Sequence, residues 1–123
     1  MAALNDDVFD NGLSAIDDNT ENLYILSADP GLTWGNIATY ALGVKATPTI
    51  AAPADRTGGG RQVTVSAITD GSVTGTGTAS HWALTDDSAT KILATGALSA
   101  SQAVTSGNVF TLNEFEIGIP DPA

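Results

Sequence analysis

Apolar side chains recur at helical spacing near the start of the chain and at alternate positions in its second half. Phe9, Leu13 and Ile16 follow one another at intervals of three or four residues, which places them on one face of a helix. Asp6 lies at the start of this pattern, where a carboxylate stabilises the positive end of the helix dipole. The spacing predicts one α-helix over residues 6–20, with its apolar stripe packed on a sheet.

Alternation of apolar and polar residues is the dominant pattern after residue 60. Residues 61–68 alternate valine or alanine with polar side chains, and Asp70-Gly71 has the composition of a tight hairpin turn. Residues 72–85 alternate threonine, serine, tryptophan and leucine with small side chains, and a face of small residues lets another backbone approach closely. Each of these runs predicts a strand, with a hairpin turn at Asp70-Gly71.

Two more strands are predicted before the C-terminus, over residues 91–97 and 109–119, with a turn at Ser106–Asn108 between them. Strands separated by turn signals at short intervals are typical of a β-sandwich or a small barrel. A length of 123 residues corresponds to one ordinary domain. We therefore expect a mainly β protein, an antiparallel β-sandwich or small barrel with one N-terminal α-helix, in a single domain over residues 1–123 whose β core covers residues 61–119.

Residues 29–58 show the weakest pattern, and we predict an irregular segment with short strands. A long irregular segment in a compact domain is often functional, so we expect this one to form an interface. An aromatic side chain there can anchor a partner or belong to the core, and both interpretations stay open for Trp34 and Tyr40. The interface candidates are Trp34, Tyr40, Arg56 and Arg61.

The charge of the chain restricts its partners. The formal net charge is −10, with 14 acidic and only 4 basic residues. Nucleic acids are polyanions whose binding needs a cationic stripe, and the basic residues Lys45, Arg56, Arg61 and Lys91 are too few and too scattered to form one. Anionic membrane surfaces are disfavoured for the same reason, and no apolar run approaches the roughly 20 residues that span a bilayer. We expect no nucleic-acid partner and no membrane partner.

Each pattern that could carry chemistry has a simpler interpretation. His81 is the only histidine, and the chain has no Gly-x-Ser-x-Gly motif and no cysteine. Glu114 and Glu116 are two residues apart, as on any half-exposed strand, and Asp86-Asp87 does not match a calcium loop. Thr57–Gly60 lacks the spacing of a phosphate-binding loop. We predict no catalytic residue, no metal site and no cofactor.

A set of short motifs extends over most of the chain and is weakest over residues 29–39. The motifs are Asp6–Leu13, Tyr40–Gly43, Arg61–Val65, Thr69–Ala79, His81–Leu84, Leu93–Gly96, Ser99–Asn108 and Phe115–Pro120. In these motifs the chain resembles a family of small virion-associated structural proteins of tailed bacteriophages and prophages. The motifs are structural, and no active-site residue of that family carries over to this sequence.

The resemblance implies a component of a phage particle without placing it on the head or the tail. A small acidic β-protein with no nucleic-acid face suits the outside of a shell that holds DNA. Decoration or cement proteins are small β-proteins that clamp neighbouring coat subunits, often as trimers. We therefore expect a non-enzymatic decoration protein on the outer capsid surface of the virion, assembled in the host cytoplasm and binding coat or other virion proteins as a homo-oligomer, with a trimer favoured.

Three other functions stay open at this point. The first is a head–tail connector, tail or fibre-attachment component, although the sequence has none of the repeats or coiled coils of long fibres. The second is a carbohydrate- or receptor-binding β-sandwich, which would stack sugars on exposed aromatic side chains. The third is a hydrolase, which the single histidine and the absence of cysteine disfavour.

Overall fold

The computed structural model describes residues 6–120, with side chains from Asp10 onward, and it is mainly β, with 52% strand and 14% helix. The expected mainly β fold with an N-terminal helix is confirmed. The elements are α1 (Asp6–Asn19), β1 (Asn22–Leu26), α2 (Gly35–Tyr40), β2 (Ala41–Ala46), β3 (Ala54–Asp55), β4 (Arg61–Val65), β5 (Ile68–Val73), β6 (Gly77–Asp86), β7 (Lys91–Val104), β8 (Val109–Leu112) and β9 (Phe115–Ile119).

The strands form two antiparallel sheets. The large sheet has six strands in the order β7-β6-β1-β2-β5-β8 and curls into a half-barrel. The small sheet has the order β3-β4-β9. Side chains from both sheets and from α1 meet inside the curl, so the small sheet and the helix cover the concave face of the large one.

Helix α1 follows the predicted apolar spacing and ends one residue before the predicted limit. Leu13 is buried, and Ile16 packs against the main core. The side chain of Phe9, which belongs to the predicted stripe, lies outside the described residues. The Thr20 hydroxyl donates a hydrogen bond of 2.6 Å to the Ile16 carbonyl and satisfies an acceptor in the last turn.

The main core lies inside the half-barrel, where every second residue of each strand points inward. Leu23 and Ile25 of β1 are buried on this concave face, whereas Leu26 belongs to a second cluster under α2 on the other face. The buried members of the main core are Leu23, Ile25, Val65, Ile68, Val73, Ala79, Leu84, Val104 and Phe110. Strand β1 is therefore covered on both sides, which explains its nearly uniform apolar sequence.

The Phe110 ring, which is 2% exposed, lies directly over two glycines of neighbouring strands. A Cβ atom at Gly71 would lie 2.3 Å from ring carbons of Phe110, and one at Gly43 would lie 3.0 Å from the ring. The predicted hairpin turn at Asp70-Gly71 is therefore wrong, because both residues lie inside β5. Because Gly71 has no side chain, the Phe110 ring can pack directly on its backbone, which continues strand β5 and does not form a turn.

A second aromatic ring lies over a glycine near the other end of the large sheet. Trp82 of β6 faces Gly96 of β7, and a Cβ at Gly96 would lie 2.8 Å from the indole. The same indole packs against Phe115 of β9, with ring centroids 4.5 Å apart and an interplanar angle of 40°. The Trp82–Phe115 contact therefore joins the small sheet to the large one.

Two strand predictions near the C-terminus need correction. The predicted strand 91–97 continues to Val104, because a bulge opposite Ser80 absorbs the extra residues and the β6–β7 pairing resumes beyond it; a second register shift lies between Leu84 and Thr85. The predicted strand 109–119 is two strands in different sheets. The chain leaves the large sheet after Leu112 and joins β4 at Phe115, which faces Val65.

The segment 29–58 is more regular than predicted. It contains α2 and also β2, which occupies a central position in the large sheet between β1 and β5. The sequence of β2 has no clear alternation, and Gly43 at its middle has low strand propensity. Pairing on both sides and cover from the Phe110 ring stabilise a strand that its local sequence does not indicate.

We predict that Gly71→Ala lowers the free energy of unfolding by about 1–3 kcal/mol, because the added methyl group would overlap the Phe110 ring. The matched control is Gly12→Ala in α1, where the nearest atom to a Cβ is 3.7 Å away and alanine should raise stability by about 0.5–1 kcal/mol. Urea unfolding of both variants measures the difference. A neutral Gly71→Ala would contradict the packing described for Phe110.

Candidate interaction surfaces

The two edge strands of the large sheet, β7 and β8, enclose a cleft of about 420 Å³. They are consecutive in the chain, yet they do not pair with each other, and among the described strands the outer edge of each has no partner. We call this space the seam cleft. It is lined by Trp82, Ala97, Leu98, Ser99, Ala100, Gln102, Thr111, Leu112, Asn113, Glu114 and Phe115.

The turn that joins β7 to β8 is attached to the β5–β6 connection. Gly107 donates a backbone hydrogen bond of 3.0 Å to the Val73 carbonyl, and the Val73 amide donates one of 3.0 Å to Asn108. The Ser106 amide donates to the Thr76 hydroxyl at 3.1 Å. These bonds fix the turn on neighbouring strands, while the bulge in β7 carries its residues 98–101 out of the regular ladder. Strands β7 and β8 therefore diverge, and the seam cleft lies between them.

A side chain bridges the narrow part of the seam cleft. The Gln102 amide nitrogen donates a hydrogen bond of 2.7 Å to the Thr111 carbonyl. In an antiparallel ladder the N–H and C=O of one residue point to the same side, so the Thr111 N–H faces the cleft as well. Gln102 thus occupies a backbone acceptor that would bind a neighbouring strand in a closed barrel.

A second surface lies on the convex face of the large sheet. Buried Ile37 of α2 packs there with Leu26 of β1, and a depression of about 240 Å³ remains beside it. We call it the Trp34 depression, lined by Tyr24, Trp34, Gly35, Ile37, Ala38 and Ala41. Leu32, two residues before Trp34, is 72% exposed. The segment predicted to form an interface thus contributes both part of an aromatic depression and, at Leu32, an exposed apolar side chain.

Of the two aromatic residues whose interpretation the sequence left open, Trp34 combines core packing with a surface position, and Tyr40 packs against the core. Both are half-buried and pack against the cluster under α2, so each contributes to the fold. Trp34 also lines the depression with part of its surface. The structure thus places Trp34 where it can contact a partner while its other side is held in place by packing.

Tyr24, in one wall of the Trp34 depression, is held by a carboxylate. Its hydroxyl donates a hydrogen bond of 2.8 Å to Asp87, which also accepts a hydrogen bond from the hydroxyl of buried Thr85. Burial of the phenol, and next its hydrogen bond and charge interaction with Asp87, raise the pKa of Tyr24 to about 12. The wall is therefore fixed by polar contacts that stay intact at neutral pH.

The acidic residues at the β6–β7 turn serve as local hydrogen-bond acceptors. Asp86 accepts from the Ala89 amide at 3.2 Å, and Glu21 accepts from the Ser88 amide at 2.8 Å. Hydrogen bonds from Ser88 hold the pKa of the Glu21 carboxyl below its ordinary value. Across the described part of the chain, no group of three histidine, aspartate or glutamate side chains is arranged to hold a metal ion.

The two arginines predicted as interface residues contact their own chain. Arg61, with its side chain 17% exposed, forms ion pairs of 2.9 Å with Asp10 and 2.7 Å with Asp55, which link α1 and β3 to β4. Arg56 donates to the Gly59 carbonyl at 3.1 Å within the turn before β4. Both arginines therefore have structural roles, and a role in binding stays a prediction.

Ser80 and His81 are in contact, which the motif search of the sequence did not reveal. The Ser80 hydroxyl lies 2.8 Å from His81 Nδ1 and donates a hydrogen bond of 3.2 Å to the Ser27 carbonyl. The direction of the Ser80–His81 hydrogen bond depends on which imidazole nitrogen carries the proton, so this contact by itself does not define a general base. Within the described residues no carboxylate is hydrogen-bonded to His81 to complete a triad.

Comparison with protein-family models, with curated proteins and with solved structures gives no match for this chain. None of the described helices is long and apolar enough to cross a membrane. Since a fold by itself does not define a function, the argument for function depends on the two surfaces and on the charge.

We predict that Tyr24 ionises with a midpoint near pH 12 in the folded protein. Because Tyr24 and Tyr40 are the only tyrosines, Tyr40→Phe leaves a single phenol, whose ionisation can be followed by absorbance at 295 nm. In denaturant the same phenol should titrate near its ordinary value of about 10. Because folding raises the pKa of Tyr24, its contribution to the free energy of unfolding is complete below pH 10 and is lost as the pH rises towards 12. Equal midpoints in the folded and unfolded states would contradict the burial and hydrogen bond of Tyr24.

Proposed function

We propose that this protein is a non-enzymatic structural component of a tailed-phage virion, a decoration or cement protein that binds the outer surface of the capsid. The observation that carries the proposal is an exposed leucine, Leu32, that lies two residues before Trp34, a residue lining an aromatic depression, in a chain of net charge −10. An isolated apolar contact site on a charged and soluble protein is typical of a surface that docks on another protein.

The charge distribution supports a position outside a DNA-filled shell. Of the four basic side chains, Lys45 pairs with Asp70 at 3.0 Å, Arg61 pairs with Asp10, and Arg56 donates to a backbone carbonyl. A net charge of −10 then repels the phosphate backbone of DNA. Such a chain can coat a particle during assembly without being retained by the nucleic acid.

The architecture suits a protein that must hold coat subunits in fixed positions. Binding loses less entropy when the contact residues are held in place before the partner arrives. Trp34 is fixed by the cluster under α2, and Tyr24 is fixed by Asp87. We propose that Leu32 and Trp34 contact the coat protein and that the protein acts as a homo-oligomer, with a trimer favoured.

A carbohydrate-binding function receives less support from the same surfaces. Sugar sites combine an exposed aromatic face with a few convergent polar groups. The polar side chains Gln102, Asn113 and Glu114 lie in the seam cleft with Trp82. The Trp82 indole, however, already lies over a glycine and packs against a phenylalanine ring, so it is poorly placed to stack on a sugar.

We predict that Leu32→Asp weakens binding to empty capsid shells of the phage that encodes the chain by about tenfold, because it places a carboxylate in an apolar contact. The matched control is Val109→Asp, which adds the same charge at another apolar residue that is 66% exposed. Co-sedimentation with the shells measures both affinities, and urea unfolding checks that both variants are folded. Equal binding of the two variants would remove Leu32 from the contact, and no binding by the unmodified protein would contradict the decoration function.

A further inference from the structure

We propose that the seam cleft binds an extended segment of a different polypeptide, which adds to the edge of the large sheet and carries at least one basic residue facing Glu114. This inference goes beyond the proposed contact at Leu32, because it concerns a separate surface formed by other strands.

The first argument is the backbone at the edge of β8. The Thr111 carbonyl faces the cleft and accepts a hydrogen bond from the side chain of Gln102. An incoming strand can replace this amide with a backbone N–H, because a flexible side chain rotates away at little cost. Addition of a strand to an exposed sheet edge is a common mode of peptide recognition, in which backbone bonds provide much of the affinity.

The second argument is the shape and lining of the cleft. Its volume of about 420 Å³ lies within the range of ordinary ligand sites. Leu98 lies on one wall and Leu112 on the other, and both are only partly buried. An extended segment presents alternate side chains to one face, so aliphatic residues at every second position would meet these two leucines.

The bulge in β7 gives the cleft one irregular wall. Three more residues lie between Ala97 and Gln102 on β7 than between Ala79 and His81 on β6, so residues 98–101 leave the regular ladder. Bulges occur frequently at sheet edges and beside functional sites, where they redirect side chains or end a pairing. Here the bulge brings Leu98 to the cleft.

The third argument, charge, decides between a second copy of this chain and a different partner. Among the described residues that line the cleft, Glu114 is the only charged one. Three of the four basic side chains of this chain already contact its own oxygens, and the fourth, Lys91, lies in β7, which is part of the large sheet. A second copy would therefore bring a net charge of −10, against which the exposed Lys91 of its β7 would be a single positive charge. A different chain with an exposed lysine or arginine fits the cleft better.

Selection from a library of random twelve-residue peptides on the isolated, immobilised protein tests the proposal. We expect enrichment of peptides that carry lysine or arginine next to alternating aliphatic or β-branched residues. On addition of an enriched peptide, hydrogen exchange should slow at the amides of residues 97–102 and 109–112. The test needs no virion, so it is independent of the proposed function.

Two charge-reversal variants identify the surface that is bound. Glu114→Lys should weaken an enriched peptide about fivefold, because it reverses the charge in the cleft. The matched control is Glu116→Lys, an exposed residue on β9 that does not line the cleft, and it should leave the affinity unchanged within twofold. Failure to enrich any peptide would overturn the proposal. So would peptides that bind both variants equally or that protect amides elsewhere.

Discussion

The curl of the large sheet depends on aromatic rings that pack directly against the backbone of neighbouring strands, at positions where those strands have glycine. Phe110 lies over Gly43 and Gly71, and Trp82 lies over Gly96. A side chain at any of these three positions would push a ring out of the concave face. Because protein interiors are packed as densely as crystals, such a displacement cannot be absorbed locally and would move whole strands. The rings therefore fix how far the sheet bends.

The same curvature gives the molecule its two candidate interaction surfaces. On the concave side the barrel does not close, because the turn after β7 is attached to β5 and the last two strands of the large sheet diverge. On the convex side α2 covers only part of the sheet and leaves a depression beside Trp34. The net charge of −10 is favourable for binding a basic protein surface and unfavourable for binding nucleic acid.

Local pattern predicts the helix and most of the β content, because side-chain periodicity directly reports which face of an element is buried. It does not predict β2, whose glycine and weak alternation become a strand only through pairing with β1 and β5. It also assigns Asp70-Gly71 to a turn, because the sequence does not show that a ring from residue 110 will lie on the glycine. Contacts between residues so far apart in the chain have no local signature.

The candidate surfaces, too, can be predicted only in part from the local sequence pattern. Trp34, which the sequence singled out as a large aromatic residue in a segment of weak pattern, lines a surface depression, and its contact with a partner stays a prediction. The seam cleft could not have been predicted, because it depends on a bulge and on two consecutive strands that fail to pair. The arginines looked like contact residues, whereas their partners, Asp10 and Asp55 for Arg61, are brought together only by the fold.

The most direct test of the decoration function is the copy number of the protein in the particle. Mass spectrometry of gradient-purified virions of the phage that encodes the chain would measure its amount relative to the major coat protein. We predict a ratio equal to that of the coat protein or a simple fraction of it. A ratio of a few per cent or less would assign the protein to the portal, tail or fibre, and its absence from the particle would contradict the account.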